Sequence, residues 1–161
     1  MRKVGIIALV PAVLIVAGFQ GYDIGNRQEN AVIILERAAL DRWGKGDPTG
    51  YLETYAPEIT YFDPMQERRV DGLATMQKMY GPIAGKVKVE SYEMLNPKVQ
   101  RRGDVAVLTY NLVSHARTPS GEPLAVRWNS TEVYARSSGK WSIIHSHWSF
   151  TKPSGTQPPG P

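Results

Sequence analysis

Two histidines stand two residues apart near the carboxyl end of the chain, in a segment with the composition of a β-strand. His145 and His147 are two of the three histidines among 161 residues. Because alternate side chains of a strand point to the same face, we expect both imidazoles to face one side of a sheet. Imidazole titrates near neutral pH and can donate or accept a proton. The pair therefore indicates a polar pocket suited to proton transfer.

Asp63 is the carboxylate that could complete such a site. Proton transfer next to a carbonyl needs a base and a proton donor in one dry pocket, so Asp63 would be the base and a histidine the donor. Two alternatives stay open. Asp63 precedes Pro64, and an aspartate in that position commonly bonds the backbone of a turn. Each histidine could also be held in the core by a hydrogen bond. The candidate catalytic residues are Asp63, His145 and His147.

Aromatic and basic residues suggest a ligand pocket near these groups. Tyr80, Tyr110 and Trp128 could wall a pocket for a flat or hydrophobic molecule, and Arg127 could anchor an anionic one. The competing interpretation is that the aromatic residues are plain core and that Arg127 pairs with Glu132 or another surface carboxylate.

No metal or cofactor is predicted. The chain has no cysteine, so a metal would depend on histidine and carboxylate ligands, with His115 or Asp63 as a third ligand beside the histidine pair. No further cluster stands at ligand spacing. The net charge of +4 is mild, and the basic residues form no long stripe, so nucleic acid is not an expected partner.

The two ends of the chain differ in composition from its centre. A basic start followed by the uncharged apolar run 4–19 is typical of an export signal or membrane anchor, which we place at residues 1–25. We expect an exported protein that contacts a membrane only through this segment. The proline- and glycine-rich tail 151–161 is predicted to be disordered. One domain over residues 26–150 remains.

Within that domain, helical patterns precede strand patterns. Val32, Leu35, Ala39 and Trp43 form the apolar face of a first helix, with Glu36 on another face. Turn signals and apolar spacing then predict three further elements before the period changes to two. The predicted elements are helices over 27–43, 47–55 and 71–80, a strand over 59–62, and four long antiparallel strands from residue 86 onward, the first bulged near 90–91.

The second long strand is apolar on both faces. Ala106, Leu108 and Tyr110 alternate with Val105 and Val107, so neither face is fully polar. One face would pack on the helices, and the other would be an association liability if it were exposed. We therefore expect a homodimer.

Three segments carry a family resemblance: Asp41-Arg42-Trp43 before Gly46-Asp47, the run Tyr61-Phe62-Asp63-Pro64, and the ending from Gly139 to Ser149. In these the chain resembles the nuclear transport factor 2-like superfamily, in its SnoaL-like and ketosteroid isomerase-like branch. The resemblance implies an α+β fold in which a curved antiparallel sheet forms a cone, with the amino-terminal helices on its concave side, as in a cystatin-like α+β barrel.

The resemblance also bounds the function. Members of this superfamily use the cone cavity for isomerisation, dehydration, cyclisation or ligand binding, and the kinase association domain uses the fold for assembly. Fold alone does not choose among these. We expect a cavity that binds a small hydrophobic or aromatic molecule, with proton-transfer catalysis as an extension. The alternative is a non-catalytic association module.

Overall fold

The computed structural model describes residues 31–151, which contain three α-helices and six β-strands. The predicted signal segment 1–25 and the tail beyond Thr151 lie outside the described residues. In chain order the elements are α1 (31–44), α2 (Thr49–Leu52), β1 (Tyr55–Phe62), β2 (Val70–Asp71), α3 (Leu73–Tyr80), a 3-10 turn (Gly81–Ile83), β3 (Ser91–Arg102), β4 (Val105–Arg117), β5 (Pro123–Ser137) and β6 (Lys140–Phe150).

The strands form one curved, unclosed sheet in the order β2-β1-β6-β5-β4-β3. Strands β3 to β6 are an antiparallel meander, whereas β1 runs parallel to β6. Helix α1 lies against the concave face, because Glu36 on that helix accepts hydrogen bonds from Tyr110 on β4 and Tyr134 on β5. The predicted α+β class is confirmed.

Helix α1 buries one stripe that includes a charged residue. Val32, Ala39 and Leu40 are almost fully buried, as the helical spacing requires. Glu36 belongs to the same stripe, one turn from Val32 and one from Leu40, and it is 0% exposed. The prediction that Glu36 occupies another face was therefore wrong.

The elements after α1 follow the prediction in type more closely than in length. The second helix is only Thr49–Leu52, and β1 begins at Tyr55, earlier than expected. Its pairing with β6 is irregular between Tyr55 and Thr60, where Pro57 lacks a backbone donor. The third helix runs over Leu73–Tyr80.

The four long strands are confirmed, but the bulge lies elsewhere. The register of β3 against β4 shifts between Leu95 and Lys98, beside Asn96 with its positive φ of 49°, and not at residues 90–91. A second shift separates Val133 from Tyr134 in the pairing of β5 with β6. Each shift changes which side chains face the concave side.

The turn after α1 brings the segment before β3 close to the helix. Gly46 has a φ of +81°, and a Cβ there would lie 3.0 Å from the Gly85 Cα and from the Val87 carbonyl oxygen. The Gly85 amide donates to the Gly46 carbonyl at 2.7 Å. Glycine at position 46 thus permits the approach that carries Val87 and Val89 to the mouth of the cone.

Among the described helices, none is long and apolar enough to cross a bilayer.

Candidate functional site

A cavity of about 360 Å³ lies between the concave face of the sheet and the helices. Its wall is mostly aromatic and aliphatic, and Met65, which is 76% exposed, marks the open end. The lining residues are Leu40, Trp43, Tyr51, Tyr55, Tyr61, Asp63, Pro64, Met65, Tyr80, Val87, Val89, Tyr92, Leu112, Ser114, Ala116, Val126, Trp128 and Trp148.

The aromatic rings contact one another. The ring of Trp43 meets that of Tyr80 edge to face at 5.0 Å, and Tyr51 stacks on Tyr55 at 5.8 Å between centroids. Trp128 and Trp148 meet edge to face at 6.0 Å. Such contacts fix ring orientation, so the wall presents a defined set of ring faces and edges.

Glu36 is the carboxyl group behind one side of this wall. Its Oε1 accepts hydrogen bonds from the hydroxyls of Tyr51 at 2.8 Å and Tyr110 at 2.6 Å, and its Oε2 accepts one from Tyr134 at 2.7 Å. Burial raises the pKa of these phenols well above the usual range, so they stay protonated and donate. Three donors hold a buried charge that would otherwise be costly.

Glu132 is a second fully buried carboxyl group, on the concave face of β5. Its Oε1 accepts hydrogen bonds from Ser146 Oγ and Trp148 Nε1, both at 2.8 Å, and a longer one of 3.4 Å from Ser130 Oγ. Its Oε2 is buried without a hydrogen-bond partner. Buried polar atoms in proteins rarely lack a partner, so this oxygen needs an explanation.

The two carboxyl groups differ in how strongly their surroundings raise their pKa values. Burial raises the pKa of Glu36, while its three tyrosine donors lower it. Burial raises the pKa of Glu132 well above its usual range, and the charge of Glu36 raises it further. Of the two carboxyl groups, Glu132 is therefore the one whose environment more strongly favours the protonated form.

The charge around the cavity is acidic. Asp63 is in the lining, and the hydroxyl of the lining residue Tyr92 donates to Asp41 at 2.7 Å. Among the lining residues, all within the described part of the chain, there is no lysine, arginine or histidine. The nearby Arg42 points instead to Asp47 and Glu53, each at 2.7 Å.

Three of the sequence-predicted site residues line the cavity: Asp63, Tyr80 and Trp128. Asp63 also accepts the Met65 backbone amide at 2.7 Å, so it acts as a turn residue as well. Tyr110 lies behind the wall, bonded to Glu36. Arg127 is exposed, and its pairing with Val113 places it on the outer face of the sheet, opposite the concave side.

Both histidines of β6 lie on that outer face. The register pairs His147 with Thr131 and His145 with Val133, whereas Ser146 pairs with the inward-facing Glu132. Trp141 and Ile143 are buried, so the irregularity at Ile144 reverses the alternation expected along this strand. The structure thus places neither imidazole in the cavity. Their catalytic role stays a prediction, and neither histidine lines the cavity.

On the outer face the histidines surround Phe62. Its ring lies 5.8 Å from that of His145 and 5.6 Å from that of His147, and Phe62 is 45% exposed. His145 Nδ1 shares a hydrogen bond of 2.8 Å with the Thr60 hydroxyl. Partial burial lowers the pKa of His145, and the charges of His147 and Arg69 lower it further. The neutral form of the His145 imidazole is therefore favoured.

The sequence interpretation missed Glu36 and Glu132 as site residues. The signal for Glu36 was its spacing of four residues from both Val32 and Leu40, which places it on the buried stripe. The signal for Glu132 was its alternation with Tyr134 on a strand whose inward face is otherwise apolar or small. No group of three or more histidine, aspartate or glutamate side chains within residues 31–151 is arranged to hold a metal ion.

Comparison with known proteins assigns the family. The model of the calcium/calmodulin dependent protein kinase II association domain matches residues 27–152. The chain belongs to this association-domain family. The match covers the whole described fold, including both carboxyl groups and the cavity wall.

The solved relatives include both an isomerase-like protein and association domains. The crystal structure of a candidate ketosteroid isomerase from Parabacteroides distasonis is 35% identical, with a TM-score of 0.65, and the match covers 76% of this chain and 86% of that one. The association domain of C. elegans CaMKII is 23% identical, with a TM-score of 0.69, over 79% and 98% of the two chains. That level of identity shows the fold alone. The resemblance to the nuclear transport factor 2-like superfamily is confirmed.

One curated relative is a longer protein. The delta subunit of calcium/calmodulin-dependent protein kinase type II from Oryctolagus cuniculus is 25% identical over 140 residues, which are 85% of this chain. The chain spans about a quarter of that protein's length, with 26% covered.

Proposed function

We propose that this protein binds a small, largely apolar molecule in the cavity of its cone. The observation that carries the proposal is the lining, which combines three tryptophans and five tyrosines with few polar side chains around about 360 Å³. Cavities of this size and composition are typical of small-molecule sites. A core with only a structural role would leave little space unfilled, because protein interiors are close-packed.

The buried carboxyl groups support the same proposal. A small number of polar groups in an otherwise apolar, dry site can orient a ligand, because each one fixes the position of a ligand atom. Glu132 lies directly behind this wall, because its Oε1 accepts a hydrogen bond from Nε1 of the lining residue Trp148, and its Oε2 is buried without a hydrogen-bond partner. Of the three predicted catalytic residues only Asp63 lines the cavity, so a proton-transfer extension would depend on Asp63.

A fluorescent apolar probe tests the binding proposal. N-phenyl-1-naphthylamine is neutral and brightens in apolar sites, so its titration should saturate with the wild type. Ala116 lies in the lining and is half-buried, and Ala116→Trp should fill the cavity and abolish saturation. The matched control is Ala125→Trp at an exposed position on the outer face. Equal binding by all three proteins would contradict the proposal.

A second proposed function is self-association. It is supported by membership of the association-domain family and by solved relatives that are named as hubs. The outer face of the sheet offers a surface for it: Val107 and Val133 are paired there and remain only partly buried. A sheet face with this apolar character is typical of an interface.

Light scattering after size-exclusion chromatography tests self-association. Val133→Lys puts a charge at the centre of the outer face and should convert an oligomer into monomers. Lys78→Glu, an exposed change on α3, is the control and should leave the mass unchanged. A wild type that is already monomeric at high concentration would rule the proposal out.

A further inference from the structure

The charge in and behind the cavity wall has one sign. Three carboxyl groups belong to the site: Asp63 in the lining, and Glu36 and Glu132 on the concave side. No basic side chain occurs among the lining residues, which all lie in the described part of the chain. An anionic ligand would meet repulsion at short range and in a low dielectric, where it is least screened.

Neighbouring groups do not cancel this charge. The donors to Glu36 are phenols and those to Glu132 are hydroxyl and indole groups, so every hydrogen bond to the pair comes from a neutral partner. Arg42, the basic residue next to the lining residue Trp43 on α1, is bound to Asp47 and Glu53. None of the hydrogen bonds to the pair in the described part of the chain therefore comes from a basic group that would cancel a carboxylate charge.

The wall itself suits a positive charge. Trp43, Trp128 and Trp148 line the cavity together with five tyrosines. Aromatic faces carry negative potential and attract cations within about 6 Å, with tryptophan the strongest, and cages of such rings bind quaternary ammonium groups. An aromatic wall alone would also accept a neutral ligand, but a wall backed by unneutralised carboxylate favours a cation.

Resting on the proposed ligand-binding function, we propose that the cavity takes a small organic monocation with an apolar surface, such as a quaternary ammonium or a protonated tertiary amine. The cation lies among the tryptophan and tyrosine rings. The carboxyl pair stabilises it from behind the wall. The apolar envelope of the ligand fills the remaining volume.

Isosteric probes separate charge from shape. Choline and 3,3-dimethylbutan-1-ol have nearly the same shape and differ in charge, as do phenyltrimethylammonium and tert-butylbenzene. Binding is followed by the fluorescence of the tryptophans in the wall. We expect each cation to bind the wild type on the order of tenfold more tightly than its neutral isostere, the scale of one cation–π and ion interaction.

Two variants locate the source of the preference. Glu58→Gln removes an exposed carboxylate of β1 that does not line the cavity, so it should keep the preference for cations. The double variant Glu36→Gln, Glu132→Gln removes the charge and should reduce the preference several-fold, with circular dichroism confirming that both variants fold. An unchanged preference in the double variant would overturn the inference.

The wild-type titrations separate this inference from the function on which it rests. Neutral isosteres that bind as tightly as the cations would overturn the proposal that the ligand is a monocation, and would leave the proposed ligand-binding function in place. If neither the cations nor their neutral isosteres bind, and the naphthylamine probe does not bind either, both the monocation proposal and the ligand-binding function are wrong.

Discussion

Glu36 on α1 and Glu132 on β5 are fully buried carboxyl groups on the same concave interior, and the charge of Glu36 raises the pKa of Glu132. Glu36 is held by three phenol donors, whereas Glu132 Oε2 has none. A sequence selected for stability alone would place apolar side chains at both positions, because buried carboxyl groups cost folding free energy. The pair is therefore the feature of the core that function best explains.

Replacing Glu132 should change how stability depends on pH. The folded pKa of Glu132 is raised above its ordinary 4.5, so the folded protein binds a proton that the unfolded chain releases. This contribution is fully present below pH 4.5 and is lost as pH rises toward the folded pKa, by up to about 1.4 kcal/mol per pH unit. Glu132→Gln does not ionise and keeps the Oε1 acceptor.

Chemical denaturation of wild type and Glu132→Gln between about pH 5 and pH 8 measures this difference. The free energy of unfolding of the variant should fall less with rising pH, so the variant gains stability relative to the wild type toward the alkaline end. Parallel curves would mean that the folded pKa of Glu132 is not raised.

Removing one phenol from Glu36 should destabilise the fold. Tyr134→Phe deletes the donor to Oε2 and leaves a buried carboxylate oxygen short of a partner, which costs about 1–3 kcal/mol. Tyr92→Phe is the matched control, because the Tyr92 hydroxyl bonds the exposed Asp41, and its cost should be below about 0.5 kcal/mol. Equal losses in thermal or urea unfolding would show that Glu36 does not depend on its donors.

The outer-face histidines should be irrelevant to the cavity. His145→Ala and His147→Ala change side chains on the opposite side of the sheet from the lining, so probe affinity should stay within about twofold of the wild type. Trp148→Ala, one residue further along β6, removes part of the wall and is the positive control. If a histidine variant loses probe affinity to the same extent as Trp148→Ala, that histidine contributes to the cavity site.

Local sequence signals predicted the elements better than the site. Leu73–Tyr80 is bounded by glycines and has clear helical spacing, and the long strands alternate between marked turns, so these elements could be predicted. The face of His145 could not, because one irregular residue at Ile144 reverses the alternation and nothing in the sequence marks it. The burial of Glu36 could not be predicted locally, because a charged side chain normally indicates exposure and the partners of Glu36 come from the distant strands β4 and β5.

Native mass spectrometry of the protein purified gently from its own host tests the central claim most directly. The wild type should carry a defined additional mass of a small molecule, and Ala116→Trp, which fills the cavity, should not. Ala125→Trp on the outer face should carry the same mass as the wild type. An added mass that persists in Ala116→Trp, or a wild type that stays empty even with saturating apolar probe, would contradict a ligand-binding cavity.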